Sequence, residues 1–587
     1  MSMNPLTRAA DALAVTPLLN CLLREAAEPM PGGRTTNPVV DPAAEPPGKG
    51  SGPGPAPGAG PSPGPAHTPA LPAAPPPHTV HRLRVSGRLL RIRPAHRPST
   101  PELWTGHTWR RLGHAELVEL AVQEMSAATG RANPALAAEM TASRTAVQAV
   151  LAARARVAPP EDPWLRSEQA LVMGHPYHPA PKARISPGSP TAWLRYAPEA
   201  YARFPLVLLG VREDAVVEDG DTRALDSLGE APPGYRLLPA HPWQLALSEC
   251  APRVRAAFAE GRLVRLGVTP GPVRPTASVR TLHIPRDAVG DIPQDGAGDI
   301  SRDGSGDRAP SPYRGDLFLK FSLDVRITND IRRMRRHELL HVRRTDPVVA
   351  AAFAAMDGPA AWLSDRGHRT VDGLFETCAV LVRDGLDDHL VPGSTAVLTA
   401  ALAEGFPGNP LDRIADPRPW WAAYLRCVVA PVLEAFARFG VVVECHLQNT
   451  LVAVDAQGTP VQAVFRDAEG ARTVPEMPRS AAWQRLVYCL VVNNLSEIAG
   501  TLAQRFPGSA PALWALARAE FERSGRWTAL PDIGDLLSSP TVPGKANLLS
   551  RWLRAEGTAP HYLPVPNPLR HAPRTEGSAE GARSTRT

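Results

Sequence analysis

Two hydrophobic periods alternate along this chain, and each marks different elements. Leu13, Leu18, Leu22 and Leu23 lay an apolar stripe over residues 1–27, which predicts a helix. Val80–Val85 and Leu90–Arg93 alternate around Ser86-Gly87, the pattern of a hairpin with one wet face. Helical spacing returns over 115–157, through Leu117, Leu120, Ala121 and Met125 and then Leu136, Met140, Val147 and Val150. The apolar run Phe204–Val211 reads as a buried strand, and Leu317–Phe321 and Val325–Ile327 as two more. From Val348 to Ala437 helical patterns dominate. Val441–Val443, Leu451–Val454 and Val461–Phe465 are strand-like, and the remainder to Leu553 reads as helix.

Three stretches break the pattern. From Pro29 to Pro77 about half the residues are Pro or Gly, a composition that cannot bury a core, so 29–77 is expected to be a disordered insertion. Residues 290–315 repeat Gly-Asp pairs and read as a low-complexity loop between strands. The polar tail 571–587 is expected to stay disordered.

Length and charge narrow the function classes. The 587 residues suffice for three to four domains' worth of core. A formal charge of +6 is weak for that length: it gives no licence for nucleic-acid binding and fits a site that collects small anions. Six cysteines stand singly with no C-x-x-C pair, so reduced thiols in the cytoplasm are expected. The N-terminus lacks a signal core and no uncharged, predominantly apolar stretch nears 18 residues, so no membrane partner is expected.

The candidate chemistry sits in short polar motifs. Glu444-Cys445-His446-Leu447-Gln448-Asn449 lies between strands, and Arg466-Asp467 ends the next one. That order places Asn449 and Asp467 at adjacent strand ends, where an amide oxygen and a carboxylate share a magnesium ion bound to phosphates, with Glu444 as a further contact. Ser278, Arg280 and Thr281 follow Pro275 in a strand-like run, so Ser278 and Arg280 are predicted to share a face and reach one phosphate. Lys320 interrupts an apolar strand and either snorkels out or meets an anion. Thr328 and Arg332 are four apart at a predicted helix start and face one ligand. Prolines bracket His175 and His178 in Gly174–Pro179 and exclude a helical metal pair, leaving a rigid turn followed by Lys182 and Arg184. His241 is expected to be structural. His337-Glu338-Leu339-Leu340-His341 matches the zinc-peptidase pattern, but the arginines around it oppose a dication. No phosphate-binding G-x-x-x-x-G-K-[ST] loop and no G-x-S-x-G elbow occurs.

Taken in order, the His-Pro-x-His-Pro-x-x-Lys-x-Arg, Pro-Thr-x-Ser-x-Arg-Thr, Thr-x-x-x-Arg and Glu-x-His-x-Gln-Asn runs resemble the IucA/IucC-like family, siderophore synthetases that work without a peptide-synthetase template. The resemblance spans about Leu18 to Arg570. It implies an α+β fold of three lobes like a cupped hand: a thumb over 1–180, fingers with antiparallel sheet over 181–395, and a mainly helical palm over 396–570. It implies an ATP- and Mg2+-dependent ligase that adenylates citrate or a related polycarboxylate and condenses it with an amine, hydroxylamine or alcohol. Arg332 and His446 would be catalytic and, with Thr328, would hold the carboxylate. Ser278, Arg280, Thr281, Lys320, Gln448, His175 and Lys182 would bind the nucleotide, and Glu444, Asn449 and Asp467 the metal. A homodimer is expected. Rival readings are a small-molecule kinase, a non-catalytic anion binder and the zinc peptidase.

Overall fold

Asn4 starts the first helix, Pro5–Ala26: its side-chain oxygen accepts from the Leu6 amide at 3.0 Å, and Pro5 takes the first position, where no amide is needed. The computed structural model describes residues 4–30, 78–184, 191–285, 315–555 and 560–570. The expected insertion from residue 31, the Gly-Asp stretch to residue 314 and the tail from 571 therefore lie outside the described residues.

The first helix buries Leu18, Leu19 and Leu22 with the helices His114–Thr129 and Pro134–Arg154. Five short antiparallel strands, in chain order from Ala27–Pro29 to Trp109–Arg111, complete this thumb lobe. Its first two strands pair Pro29 with His81, and the Met30 amide donates to the Val80 carbonyl at 3.0 Å. The two ends of the interval 31–77 are thus held side by side.

The fingers are an all-antiparallel sheet of six strands. Its order is Arg274–Pro275, Thr281–Ile284, Leu317–Phe321, Val380–Asp384, Asp365–Val371 and Val216–Gly220. A second sheet centred on Val207–Arg212 packs against it through Leu209, Leu237, Leu319 and Val382. In the palm, Pro417–Phe439, the long helical run Arg479–Arg505 and Ala510–Thr528 pack on a four-stranded sheet. Its strands are Ala361–Leu363, Pro460–Arg466, Thr450–Val454 and Thr395–Leu398. The fold is α+β.

Three sequence expectations change. The stretch 348–437 is not mainly helical: Ala361–Leu363, Asp365–Val371, Val380–Asp384 and Thr395–Leu398 are strands. These strands are buried along most of their length, so their strings show no alternation to read. The lobes are also not three contiguous spans. Leu339, Val342, Phe353 and Trp362 belong to the palm core, whereas Leu548 and Trp552 close the thumb core. Finally, Pro5–Ala26 and Arg479–Arg505 are long and apolar enough to cross a membrane, although 56% and 78% of their apolar windows are buried inside the protein.

Candidate functional site

Lys320 and Asp467 meet where the fingers face the palm. Lys320 sits mid-strand between Thr281 and Leu381 on the neighbouring strands, 3% exposed. Its Nζ lies 2.5 Å from Asp467 Oδ1 and 2.8 Å from Glu469 Oε2. Asp467 arrives at the end of Pro460–Arg466, and the Arg466 amide donates to the Asn449 carbonyl at 3.1 Å, so Asn449 and Asp467 do occupy adjacent strand ends. Asp467 has φ +85°, a left-handed backbone that costs roughly 1–3 kcal/mol in a residue other than glycine. Neighbours fix it there: Arg383 bonds Asp467 at 3.1 Å and Asp365 at 2.6 and 3.1 Å, and Asp365 accepts from the Ala468 amide at 3.0 Å. Burial alone would raise the carboxyls of Asp467 and Glu469. Lys320, helped by Arg383 at Asp467 and by Arg280 at both, overcomes burial and holds them well below the usual range.

The Glu444–Asn449 turn is anchored from the long palm helix. A stretch of wider turns, Tyr488–Leu495, brings Asn494 to the Cys445 carbonyl at 2.9 Å, the kind of helix irregularity that recurs at sites. Glu444 is held by Arg485 at 2.6 Å, and Gly470 leaves it room: a Cβ there would lie 2.1 Å from Glu444 Oε2. Asn449 is buried, and its side-chain nitrogen has no partner among the described residues. Glu444, Asn449, Asp467 and Glu469 are hard oxygen donors of the kind magnesium takes. Among the described residues no three acidic, His or Cys side chains form a ready cage.

Three histidines share one device. His175, His178 and His446 each accept the amide proton of the residue two further on at Nδ1, at 3.0, 3.1 and 3.3 Å. A nitrogen that accepts carries no hydrogen, so each neutral ring presents Nε2–H. Burial lowers all three pKa values, that of His175 to about 3, so they enter the site as neutral donors rather than as cations or bases. His241 makes the same bond to the Trp243 amide, capping the helix Pro242–Ser248 away from the cavity, as a structural residue should.

Ser278 and Arg280 lie in a turn rather than a strand: the Thr281 amide donates to the Ser278 carbonyl at 2.8 Å, and the strand begins only at Thr281. The shared-face argument therefore fails, although both side chains reach the site. Thr328 and Arg332 do face each other, Arg332 Nη2 donating to Thr328 Oγ1 at 2.9 Å. They do so across a tight hairpin, Arg326–Ile327 with Asp330–Ile331, not at a helix start. Thr328 takes φ +56° in the turn, and the helix begins at Arg336. Lys182 is buried against Glu199, which also holds Arg184 at 3.3 Å, so its charge is already compensated. In the zinc-like motif His337 is exposed, while His341 bonds the Ala471 carbonyl at 3.0 Å and Arg472 at 2.8 Å.

All thirteen candidate residues line one cavity of about 420 Å³, within the usual range for a small-molecule site. Eleven Lys and Arg side chains line it against five Asp and Glu. Behind the wall Glu168 holds Arg466, Glu199 holds Lys182 and Arg184, Asp365 holds Arg383 and Glu497 faces Arg97, which leaves a surplus of two cations. The sequence reading missed Glu168, Arg383, Glu404 and Glu469. Arg383 interrupts an apolar strand as Lys320 does and was open to the same argument; the three glutamates carry no local signal.

Residues 163–289 match the model of the IucA / IucC family, and 418–560 that of the ferric iron reductase FhuF-like transporter. The L-2,3-diaminopropanoate–citrate ligase of Staphylococcus aureus is 29% identical over 471 residues, 70% of this chain and 75% of that protein. The rhizobactin siderophore biosynthesis protein RhbC of Rhizobium meliloti is 28% identical over 536 residues, 76% and 85% of the two chains. The ATP-bound aerobactin synthetase IucA of Klebsiella pneumoniae superposes with a TM-score of 0.69 at 19% identity, over 95% of this chain and 99% of that one, a likeness of fold. With the motif order, the cavity they build and these relatives in agreement, the chain is similar to the IucA/IucC-like siderophore synthetases in sequence and in fold.

Proposed function

We propose that the protein is an ATP-dependent acid–amine ligase that adenylates a polycarboxylate of the citrate class and passes the acyl group to an amine, hydroxylamine or alcohol, releasing AMP and pyrophosphate. The observation that carries this reading is the cation surplus around the Lys320–Asp467 cluster, with Arg332 and three neutral imidazole donors facing the same space. The relatives named as citrate ligases support the substrate class.

In the first step a carboxylate oxygen attacks the α-phosphorus while the bond to the β-phosphate oxygen breaks and pyrophosphate leaves. An anion approaching an anion needs fixed positive charge, which Arg280, Lys320 and Arg332 supply, and positioning, which the surrounding hydrogen bonds supply. Glu444, Asn449, Asp467 and Glu469 would hold a magnesium ion, which lends further positive charge to the phosphates. In the second step the acceptor nitrogen or oxygen attacks the acyl carbon, the bond to AMP breaks, and the acceptor's proton passes to solvent. His446, whose Nδ1 accepts the Gln448 amide so that Nε2 carries the hydrogen, donates to the acyl oxygen as charge builds there; it does not take the acceptor's proton.

A kinase would use the same lysine and metal residues but needs a base a few residues before Asn449. Residues 445–448 offer no Asp, and Glu444 is engaged by Arg485. As part of the same reading the enzyme works in the cytoplasm as a homodimer. The test is the nucleotide product. Polycarboxylate- and magnesium-dependent AMP and pyrophosphate, with hydroxylamine trapping the acyl group as a hydroxamate, is the expected result. Carboxylate-dependent ADP without pyrophosphate would establish the kinase, and no turnover across a broad panel would leave an anion binder.

A further inference from the structure

Adenylation draws on the cations of the cavity, whereas passing the acyl group to an amine calls for a group that takes a proton. Few of the described residues lining the cavity can. His175, His178 and His446 present Nε2–H and are donors. Glu404 is consumed by the amides of Val172, Met173 and Gly174 at 2.6, 2.6 and 3.2 Å, and Glu444 by Arg485. Asp467 and Glu469 are consumed by Lys320. Asp330 remains. It lines the cavity, it is exposed, and its side chain makes no hydrogen bond or ion pair among the described residues.

The hairpin sets what Asp330 faces. Ile327 pairs with Asp330; beyond them the Arg332 amide donates to the Val325 carbonyl at 3.1 Å and the Leu323 amide to the Arg332 carbonyl at 2.8 Å. The chain is thus extended and paired from Asp330 through Arg332, so these two side chains share a face, about 7 Å apart along the strand. In keeping with that, Asp330 is among the negative charges that act on the Arg332 guanidinium. Asp330 is exposed where Arg332 is half-buried, which puts it on the side from which an acceptor enters and a proton leaves. Resting on the ligase reading, we propose that Asp330 is the catalytic base of the second step, taking the proton that the amine gives up as it is acylated. The nitrogen lone pair forms the bond to the acyl carbon, and the acyl–oxygen bond breaks with its electron pair going to AMP. One N–H proton of the cationic adduct passes to the Asp330 carboxylate and from there to solvent. A carboxylate is too weak a base to strip a free alkylammonium, and it need not. The neutral amine attacks, and its nitrogen becomes strongly acidic only once bonded to the acyl carbon.

The test separates the two steps in the full-length enzyme with ATP, magnesium and citrate. Citrate-dependent exchange of labelled pyrophosphate into ATP reports the first. Amide formation in a single turnover reports the second, with the fastest of 2,3-diaminopropionate, ornithine, putrescine and spermidine as acceptor. Asp330→Asn should slow amide formation by about a hundred- to ten-thousandfold, the usual worth of a positioned base, and slow exchange far less. In Asp330→Ala, added formate should restore part of the lost amide formation while leaving the wild type unchanged. Equal loss in both assays with a raised KM for citrate would make Asp330 a partner of Arg332 and overturn the proposal. A raised KM for the amine with an unchanged rate at saturation would make it a binding contact and overturn it as well. So would acylation of hydroxylamine but of none of the four amines, since no alkylamine proton would then be handled. Failure of the ligase reading itself is distinct: no citrate-dependent AMP with any acceptor, hydroxylamine included.

Discussion

Replacing Glu168 should damage the site without touching it. Glu168 is fully buried and bonds Arg466 at 2.7 and 3.1 Å. Its Oε2 also accepts the Ala277 amide at 2.9 Å, and Arg466 donates onward to the Gln448 carbonyl at 2.9 Å. One ion pair thus ties the turn carrying Ser278 and Arg280 to the turn carrying His446 and Gln448. Glu168→Ala strands a buried guanidinium, which costs about 3–5 kcal/mol, on the order of 10 °C in Tm. Glu168→Met with Arg466→Met removes both charges and should recover most of that loss, since apolar replacement of a buried pair is often neutral. Activity should not recover. Both turns lose their tie, and a displacement near 1 Å between reacting groups is enough for about a hundredfold fall in kcat/KM. The assay is citrate-dependent pyrophosphate release beside thermal melts of wild type, single and double variants. If the double variant regains both Tm and turnover, the pair is only a packing element and the positioning argument fails.

Arg332→Ala and His446→Ala should each lower turnover at least about a hundredfold with a native far-UV spectrum, whereas the exposed His337→Ala should leave it nearly unchanged; loss of activity in His337→Ala with co-purifying zinc would revive the peptidase. Burial holds the imidazoles of His114, His175 and His241 down at about 4, 3 and 3, and pushes that of His178 well below the ordinary range. Below pH 6.5 the unfolded chain binds protons that the folded one refuses, so stability is full above that pH and falls beneath it, by about 1.4 kcal/mol per histidine at pH 5.5. Melts at pH 7.5 and 5.5 with equal Tm would contradict this. Replacing residues 31–77 by a short Gly-Ser turn should keep turnover and raise stability by about 1–2 kcal/mol, because Met30 and Val80 are already paired; a fall of several degrees in Tm would refute it.

The chemistry of the site was legible wherever a polar side chain broke a strongly apolar context. Lys320 inside Leu-Phe-Leu-Lys-Phe and Asn449 and Asp467 at strand ends are of that kind. The backbone beneath them was harder to read. A Thr-x-x-x-Arg spacing brings two side chains together across a tight hairpin as well as along a helix, and only the longer-range pairing decides between them. The missed glutamates act through partners far away in sequence, 298 residues apart for Glu168 and Arg466, and no window of local sequence contains such a relation. The lobe boundaries failed for a similar reason: Trp362 and Trp552 look like any core tryptophan, and which core they join is settled by the path of the chain.

That path has a consequence for synthesis. The thumb is the first lobe to leave the ribosome, yet its core is closed by Leu548 and Trp552, and Asn133 donates to the Arg551 and Trp552 carbonyls at 3.2 and 2.9 Å. Until Trp552 has been translated, the nascent thumb presents the apolar face meant for it to solvent. Contacts of such long sequence separation form late and leave partly folded chains open to aggregation. Early-emerging sequence therefore waits on late-emerging sequence, and nascent chains stalled before residue 548 should be the species that chaperones hold.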